Sequence, residues 1–429
     1  MRISIYGSTL EAYVTAVCLA LTENSVTLFS NSFPAEDDEL PFIKSEPSLT
    51  NKLSEAIKEN TLKVRETSAF INANIHWLFY KGKNFDELLY VIKELLSDQE
   101  AVSVVISTTL GVGTYNRLYN HFENEVKNGF LKLATLPSFI REGRALDDFA
   151  NPELLLIGTE DNQLISTLSY LLSPVIQKAQ KVMFISGAEA ELIKTSICSM
   201  LATRLSLINE LALLSEELHI DMDKVIEGVS SDSRIGKSYL DLGCGFGGLT
   251  LPQEVNNLLE QFSNKSTASI MLKAVVEANQ TQKELLFRKL WHYYQGNLSA
   301  LKVAIWGASF KPNSSSIANS PIHELVEALT AQDCNISIYD PAAMPALEFK
   351  YTSYANVQLC DDKYAAVQES DALFIVTAWD EFLAPDFNQL KTLMKIPVIF
   401  DGRNIYEPRE METLGFEYFA VGRGKTINL

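Results

Sequence analysis

Twice in this chain of 429 residues a short β-type run ends in a glycine turn and gives way to helical spacing. No other feature constrains the fold as much. The first run, Arg2 to Tyr6 into Gly7, is followed by helical apolar spacing over residues 10–21 and another β-type run over 26–29. The second, Leu301 to Trp306 into Gly307, is followed by β-type runs over 336–339, 372–376 and 398–400 that alternate with helical segments. Alternation of this kind implies a parallel sheet covered by helices on both faces. Between the two, residues 188–219 keep helical apolar spacing interrupted only by polar positions such as Lys194, Arg204, Asn209 and Glu210, and residues 266–294 carry a second helical run.

Composition narrows the function. Hydrophobic residues at 47% and charged ones at 21% are ordinary globular values, so no large part of the chain is expected to be disordered. A net charge of −18 repels nucleic acid and anionic membrane surfaces, and a nucleotide ligand would need a locally basic pocket. The five cysteines, at 18, 198, 244, 334 and 360, are odd in number and lack metal-ligand spacing, which predicts reduced thiols and no metal. Met1 to Gly7 already reads as strand and turn, leaving no room for a signal peptide, and no apolar run looks long enough to span a membrane. The expected location is cytoplasmic.

A dinucleotide-binding turn reads G-x-G-x-x-G, because the second glycine lets the backbone approach the pyrophosphate and the third lets helix and strand pack closely. Here it reads Gly7-Ser8-Thr9-Leu10-Glu11-Ala12. Thr9 puts a branched side chain where the phosphates would lie, and Glu11 adds negative charge at the helix N-terminus. The acidic residue expected at the end of the second strand is Ser30. Gly7, Ala12 and Ser30 thus mark a degraded cofactor site, and the residues predict a Rossmann-type scaffold that no longer binds NAD.

The stretch Gly245-Phe246-Gly247-Gly248-Leu249-Thr250-Leu251-Pro252-Gln253-Glu254 has the glycines and proline of a substrate-facing loop. Together with the preceding Asp232-Ser233-Arg234-Ile235-Gly236 and Tyr239-Leu240-Asp241-Leu242-Gly243, it resembles the signature loop of the UDP-glucose/GDP-mannose dehydrogenase family. That loop runs Gly-(Phe/Tyr)-Gly-Gly-Ser-Cys-Phe-Pro-Lys-Asp. Further landmarks follow in the family's order: Glu46-Pro47, Thr108-Thr109-Leu110-Gly111, Pro137 to Ala145, Asn151-Pro152, Asp340-Pro341, Thr377 to Phe382 and Asp401 to Tyr406. One is absent, since Lys81-Gly82-Lys83 stands where a Gly-Thr-Pro turn is usual. Another is altered, Ala318 replacing the arginine of Asp-Ile-Arg-Glu-Ser-Pro. The resemblance implies α/β architecture: two Rossmann-like doubly wound parallel-sheet domains at 1–187 and 298–429, joined by a central helical domain at 188–297 that forms a homodimer.

The family oxidises a sugar C6 alcohol to a carboxylate with two hydride transfers to NAD, through a thioester on the loop cysteine. Here that position is Thr250, and a threonine hydroxyl cannot replace a thiolate without a base to activate it. Cys244, six residues upstream, is either a displaced nucleophile or a structural thiol. The positions corresponding to catalytic groups are Thr250, Lys194, Glu142, Glu254 and Thr109, whereas Ser138, Cys198 and Gln253 depart from the family's glutamate, asparagine and lysine. Those corresponding to UDP-sugar contacts are Arg234, Tyr239, Lys311, Arg403, Phe246 and Gly247, again with Thr109 and Lys194. Lys194, Arg234, Lys311 and Arg403 would be the cations around a pyrophosphate-linked sugar. Three readings follow: a UDP-sugar binder with little or no dehydrogenase activity, an active NAD-dependent enzyme with altered chemistry, or a non-enzymatic subunit paired with an active paralogue. The pattern of losses favours the first.

Overall fold

Strands in a parallel sheet are covered on both faces, so they read as apolar runs rather than as alternating patterns. The computed structural model shows this in two sheets; it describes residues 1–30, 46–65, 71–80, 85–98, 100–107 and 110–423, the side chain of Pro47 excepted. These residues form two units, one of Met1–Ile197 with Asn256–Ser266 and the other of Cys198–Val255 with Thr267–Leu429.

The first unit holds β1 (Arg2–Tyr6), β2 (Ser25–Phe29), β3 (Leu62–Arg65), β4 (Ile75–Leu78), β5 (Val102–Ile106), β6 (Leu131–Thr135), β7 (Leu154–Gly158) and β8 (Lys181–Ile185). They form one sheet in the order β3-β2-β1-β4-β5-β6-β7-β8, parallel except where β6 meets β7. All four residues of β4 are buried, and in β1 only Arg2 is exposed. Strand order reverses beside β1, which places the crevice of this doubly wound sheet at the end of β1, at Gly7. Gly7 has φ +144, and a Cβ there would lie 2.2 Å from the carbonyl oxygen of Phe79, so only glycine fits the turn.

The second unit holds β9 (Lys302–Trp306), β10 (Asn335–Tyr339), β11 (Val357–Leu359), β12 (Ala372–Ile375), β13 (Val398–Asp401) and β14 (Glu417–Phe419). They form an all-parallel sheet in the order β11-β10-β9-β12-β13-β14, whose switch point lies between β9 and β12. One face packs on Leu286, Leu290, Leu325 and Leu329, the other on Phe382, Leu390 and Met411. Two Rossmann-like parallel sheets and a central helical region, the architecture expected from the sequence, are therefore present.

The helical region departs from expectation in three respects. The run over 266–294 is two helices, Ile270–Lys283 and Leu285–Tyr293, with a turn at Glu284 that brings Leu286 and Leu290 into the core of the second sheet. The long helix, Gly187–Glu217, spans 31 residues and its most apolar window has a mean hydropathy of 1.4. By length and composition it could cross a membrane, contrary to the sequence expectation. One side of it packs on protein, however: Ile208 and Ala212 pack against Leu240, Leu242 and Val421, and Arg204, Asn209 and Glu216 bond to neighbouring segments. The third departure lies in the signature stretch, which is only half loop, because the helix Thr250–Asn264 begins at Thr250 itself.

Candidate functional site

In the second unit the loop from Gly243 to Gly248 is held through its backbone. The Gly243 N–H donates to Asn209 Oδ1 at 3.0 Å, and Gln282 Nε2 donates to the Gly243 carbonyl at 2.7 Å. At Phe246, Asn279 does both jobs, accepting from the N–H at 2.8 Å and donating to the carbonyl at 3.1 Å. The Gly248 N–H donates to Ala318 O at 2.8 Å, and Asn319 Nδ2 returns a bond to Gly248 O at 2.9 Å. Gly247 is pressed so closely here that a Cβ would meet Asn319 O at 2.6 Å. Cys244 is fully buried between this loop and the second sheet, its N–H bonded to Gly402 O at 3.0 Å. Burial pushes its thiol pKa up, with Arg403 only partly opposing, so it is a core thiol and not a displaced nucleophile.

Two of the sequence-predicted cations lie at the C-terminal ends of this sheet. Arg403 follows β13, and its Nε donates to Val376 O at 2.6 Å, just beyond β12. Its N–H is held by Asp401 Oδ1 at 2.7 Å, and Asp401 is itself fully buried and bonded by Tyr418 and the Ile405 N–H. The Arg403 guanidinium stands against Gly243, and its Nη2 is buried without a hydrogen-bond partner. Lys311 follows β9, with its Nζ 5.6 Å from the centre of the Phe310 ring, and Phe310 lines Gly247 and Gly248. Tyr239 is half-buried and has φ +58, a left-handed backbone that a bulky residue rarely adopts. Arg234 is exposed and already forked onto Asp232, with Nη2 to Oδ2 at 2.6 Å. Thr250 is exposed at the start of its helix, and Glu254, one turn on, is buried.

Lys194 lies in the first unit, on the long helix, with its Nζ 4.7 Å from the centre of the Phe139 ring. It thereby meets the segment that carries Ser138 and the half-buried Glu142. Two carboxylates fix that segment. Glu46 accepts from the N–H groups of Gly143 and Ala145 at 2.6 and 3.0 Å, and Asp148 holds Arg141 through its backbone and guanidinium. Cys198, one turn from Lys194, is buried. Thr108, Thr109, Lys81, Gly82 and Lys83 lie outside the described residues.

At the glycine turn of the first sheet, Thr9 and Ser30 are engaged by protein partners. Thr9 is buried and caps the Leu10–Ala20 helix, its side chain accepting from the Ala12 N–H at 3.2 Å, the kind of donor that a phosphate would take. Ser30 is also buried, bonded at 2.9 Å to both Tyr13 and Ser8, and offers no carboxylate to a ribose. The second sheet uses its own turn differently. Asp340, at the end of β10, accepts from the Ala308 and Ser309 N–H groups, from Ser309 Oγ and from Trp379 Nε1, closing that turn with protein groups. Among the described residues no cluster of three or more His, Cys, Asp or Glu side chains is arranged as a metal site would be.

Sequence reasoning missed the amides of Asn279 and Gln282, because polar positions on a helix read as solvent-facing unless tertiary partners are known. It noted Asp340 and Glu46 only as landmarks, since side-chain bonds across a fold leave no local signal.

Comparisons with known proteins agree along the whole chain. Profiles of the UDP-glucose/GDP-mannose dehydrogenase family match residues 1–176 (NAD binding domain), 188–281 (central domain) and 304–408 (UDP binding domain). A UDP-glucose 6-dehydrogenase of Pseudomonas aeruginosa is 32% identical over 448 aligned residues, covering 99% of this chain and 98% of that protein. One from Rhizobium meliloti is 30% identical, covering 80% of this chain and 79% of its own. The solved structure of a UDP-glucose dehydrogenase from the archaeon Pyrobaculum islandicum superposes with a TM-score of 0.85 over 98% of both chains; at 23% identity this speaks to the fold. With three successive domain profiles in the right order and a relative aligned almost throughout, the chain belongs to the UDP-glucose/GDP-mannose dehydrogenase family.

Proposed function

We propose that this protein binds a UDP-sugar at the C-terminal ends of β9, β12 and β13 and has little or no dehydrogenase activity. Arg403 carries the reading. Its Nε is fixed on Val376 O while Nη2 is buried and unpartnered, and a buried charged donor left so is costly unless a ligand completes it. A pyrophosphate-linked sugar supplies that acceptor, and Lys311 and the loop beside Phe310 stand at the same sheet edge. UDP-sugar binding is also what the family's UDP binding domain at 304–408 leads one to expect.

Loss of activity rests on other residues. Thr9 and Ser30 are committed to internal bonds at the turn where NAD would bind, and Thr250 has no thiolate with which to form a thioester. The competing reading, an active NAD-dependent UDP-glucose 6-dehydrogenase, draws on the NAD binding domain profile over 1–176.

Calorimetric titration separates the two. UDP-glucose should give a binding heat and NAD none, and a mixture of both should yield no NADH by absorbance. Arg403→Ala should weaken UDP-sugar binding by about 1.5–3 kcal/mol, the loss of a charge-assisted bond. Unchanged affinity in that variant would remove the main support for the site. Thr250→Cys alone should not produce turnover, because groups that act as a unit are strongly non-additive. Thr250→Cys with Ser138→Glu, Cys198→Asn and Thr9→Gly is the smallest set expected to show any. NAD binding and turnover by the unmodified protein would replace this reading with the active one.

A further inference from the structure

We infer that Asn279 is a positioning residue for nucleotide-sugar recognition, holding the signature loop in its binding geometry; the inference rests on the UDP-sugar reading above. Asn279, Gln282 and Lys283 are all buried and share one face of the Ile270–Lys283 helix, being three and four residues apart. A buried helix face is ordinarily apolar, but here each of the three residues touches the loop. Gln282 holds the Gly243 carbonyl, and the Lys283 stem packs where a Gly245 Cβ would lie, with its Nζ on Glu324 at 3.1 Å.

Asn279 makes the contact with the most demanding geometry. Its carboxamide pairs with both the N–H and the carbonyl of Phe246, as a neighbouring strand would, and fixes the plane of the backbone entering Gly247 and Gly248. On the far side of those glycines stand Phe310 and Asn319, and Phe310 carries Lys311. Space-filling alone does not need an amide in this orientation. A carboxylate of the same shape would keep the acceptor for Phe246 N–H and set its second oxygen against the Phe246 carbonyl.

The test uses the full chain, UDP-glucose as the probe, calorimetry for affinity, and hydrogen exchange over residues 243–249. Asn279→Asp and Asn279→Ala should each weaken UDP-glucose binding at least tenfold and speed exchange in that segment, with exchange in β9, β12 and β13 unchanged. The Asp variant keeps the shape but removes the donor to the Phe246 carbonyl, and the Ala variant, which brings no charge into this buried site, must move affinity and exchange in the same direction. Wild-type affinity in an Asn279 variant whose loop exchanges faster would overturn the positioning role, as would unchanged exchange. If neither variant folds, Gln282→Ala removes the adjoining bond and should show a weaker effect in the same direction; wild-type affinity there would overturn the inference. Failure of the unmodified protein to bind UDP-glucose, UDP or another UDP-sugar would instead sink the underlying reading, and this inference with it.

Discussion

Lys289 is 1% exposed, and burial pulls its pKa down even though Glu216 opposes the shift. Its ammonium donates to both oxygens of Glu216 at 2.8 and 2.9 Å and to Ala420 O at 2.6 Å, and Glu216 also accepts from the Gly422 N–H at 2.7 Å. Removing one partner strands a buried charge, so Lys289→Met should cost about 3–5 kcal/mol in urea unfolding. Adding Glu216→Leu to that variant should recover much of the loss. A single mutant as stable as wild type would show that the pair is not fully desolvated. Neither residue was singled out in the sequence, because pairing across 73 positions has no local pattern. By contrast, Thr250, Ser138 and Ser30 drew notice in the sequence, since each stands where the family pattern leads one to expect another side chain.

At the scale of elements, the strands β1, β2, β9, β10, β12 and β13 and their glycine turns were read closely, because a buried parallel strand is an apolar run bounded by turn residues, whereas β3, β5 to β8, β11 and β14 were not singled out. The start of the Thr250–Asn264 helix was misread as loop, although Pro252 in its first turn and Gln253 three residues after Thr250 are helix-start signals. The Ile322–Thr330 helix yields a pH prediction. His323 bonds through Nε2 to Ile317 O at 2.7 Å, in the segment that meets Gly248, while Nδ1 faces Tyr351 OH at 2.6 Å and Lys350 Nζ at 3.0 Å. Burial and then the Lys350 charge hold its pKa below the ordinary 6.5, with Ile317 and Glu324 opposing and Lys283 adding to the fall. The unfolded chain therefore takes up this proton before the folded one does. This contribution is intact above the unfolded value of about 6.5 and is lost as pH falls from there through the depressed folded value. Urea midpoints measured from about pH 7.5 down to 5 should fall less in His323→Gln than in wild type. Parallel curves would show that His323 titrates normally.

At the scale of the whole molecule, the two glycine-turn strands 300 residues apart announced two sheets, and three domain profiles of one family span the same chain. The homodimer expected from the sequence needs an interface, and the sequence alone does not say which helix face the fold leaves uncovered. On the Gly187–Glu217 helix and just beyond it, Met200, Leu207, Leu211, Leu214 and Leu218 are 69, 53, 37, 54 and 57% exposed. Their spacings of seven, four, three and four place them on one side of the helix, as in a helix–helix seam. An apolar stripe of this length left in water is rare on a monomer, and a two-fold axis lets identical stripes cover each other. Light scattering at micromolar concentration should therefore give a dimer. Leu207→Glu with Leu214→Glu should give a monomer with an unchanged far-ultraviolet circular dichroism spectrum, because both side chains are more than half exposed and contribute little to the core. A wild-type monomer would remove the dimer from this account, and a double variant that stays dimeric would move the interface to another face.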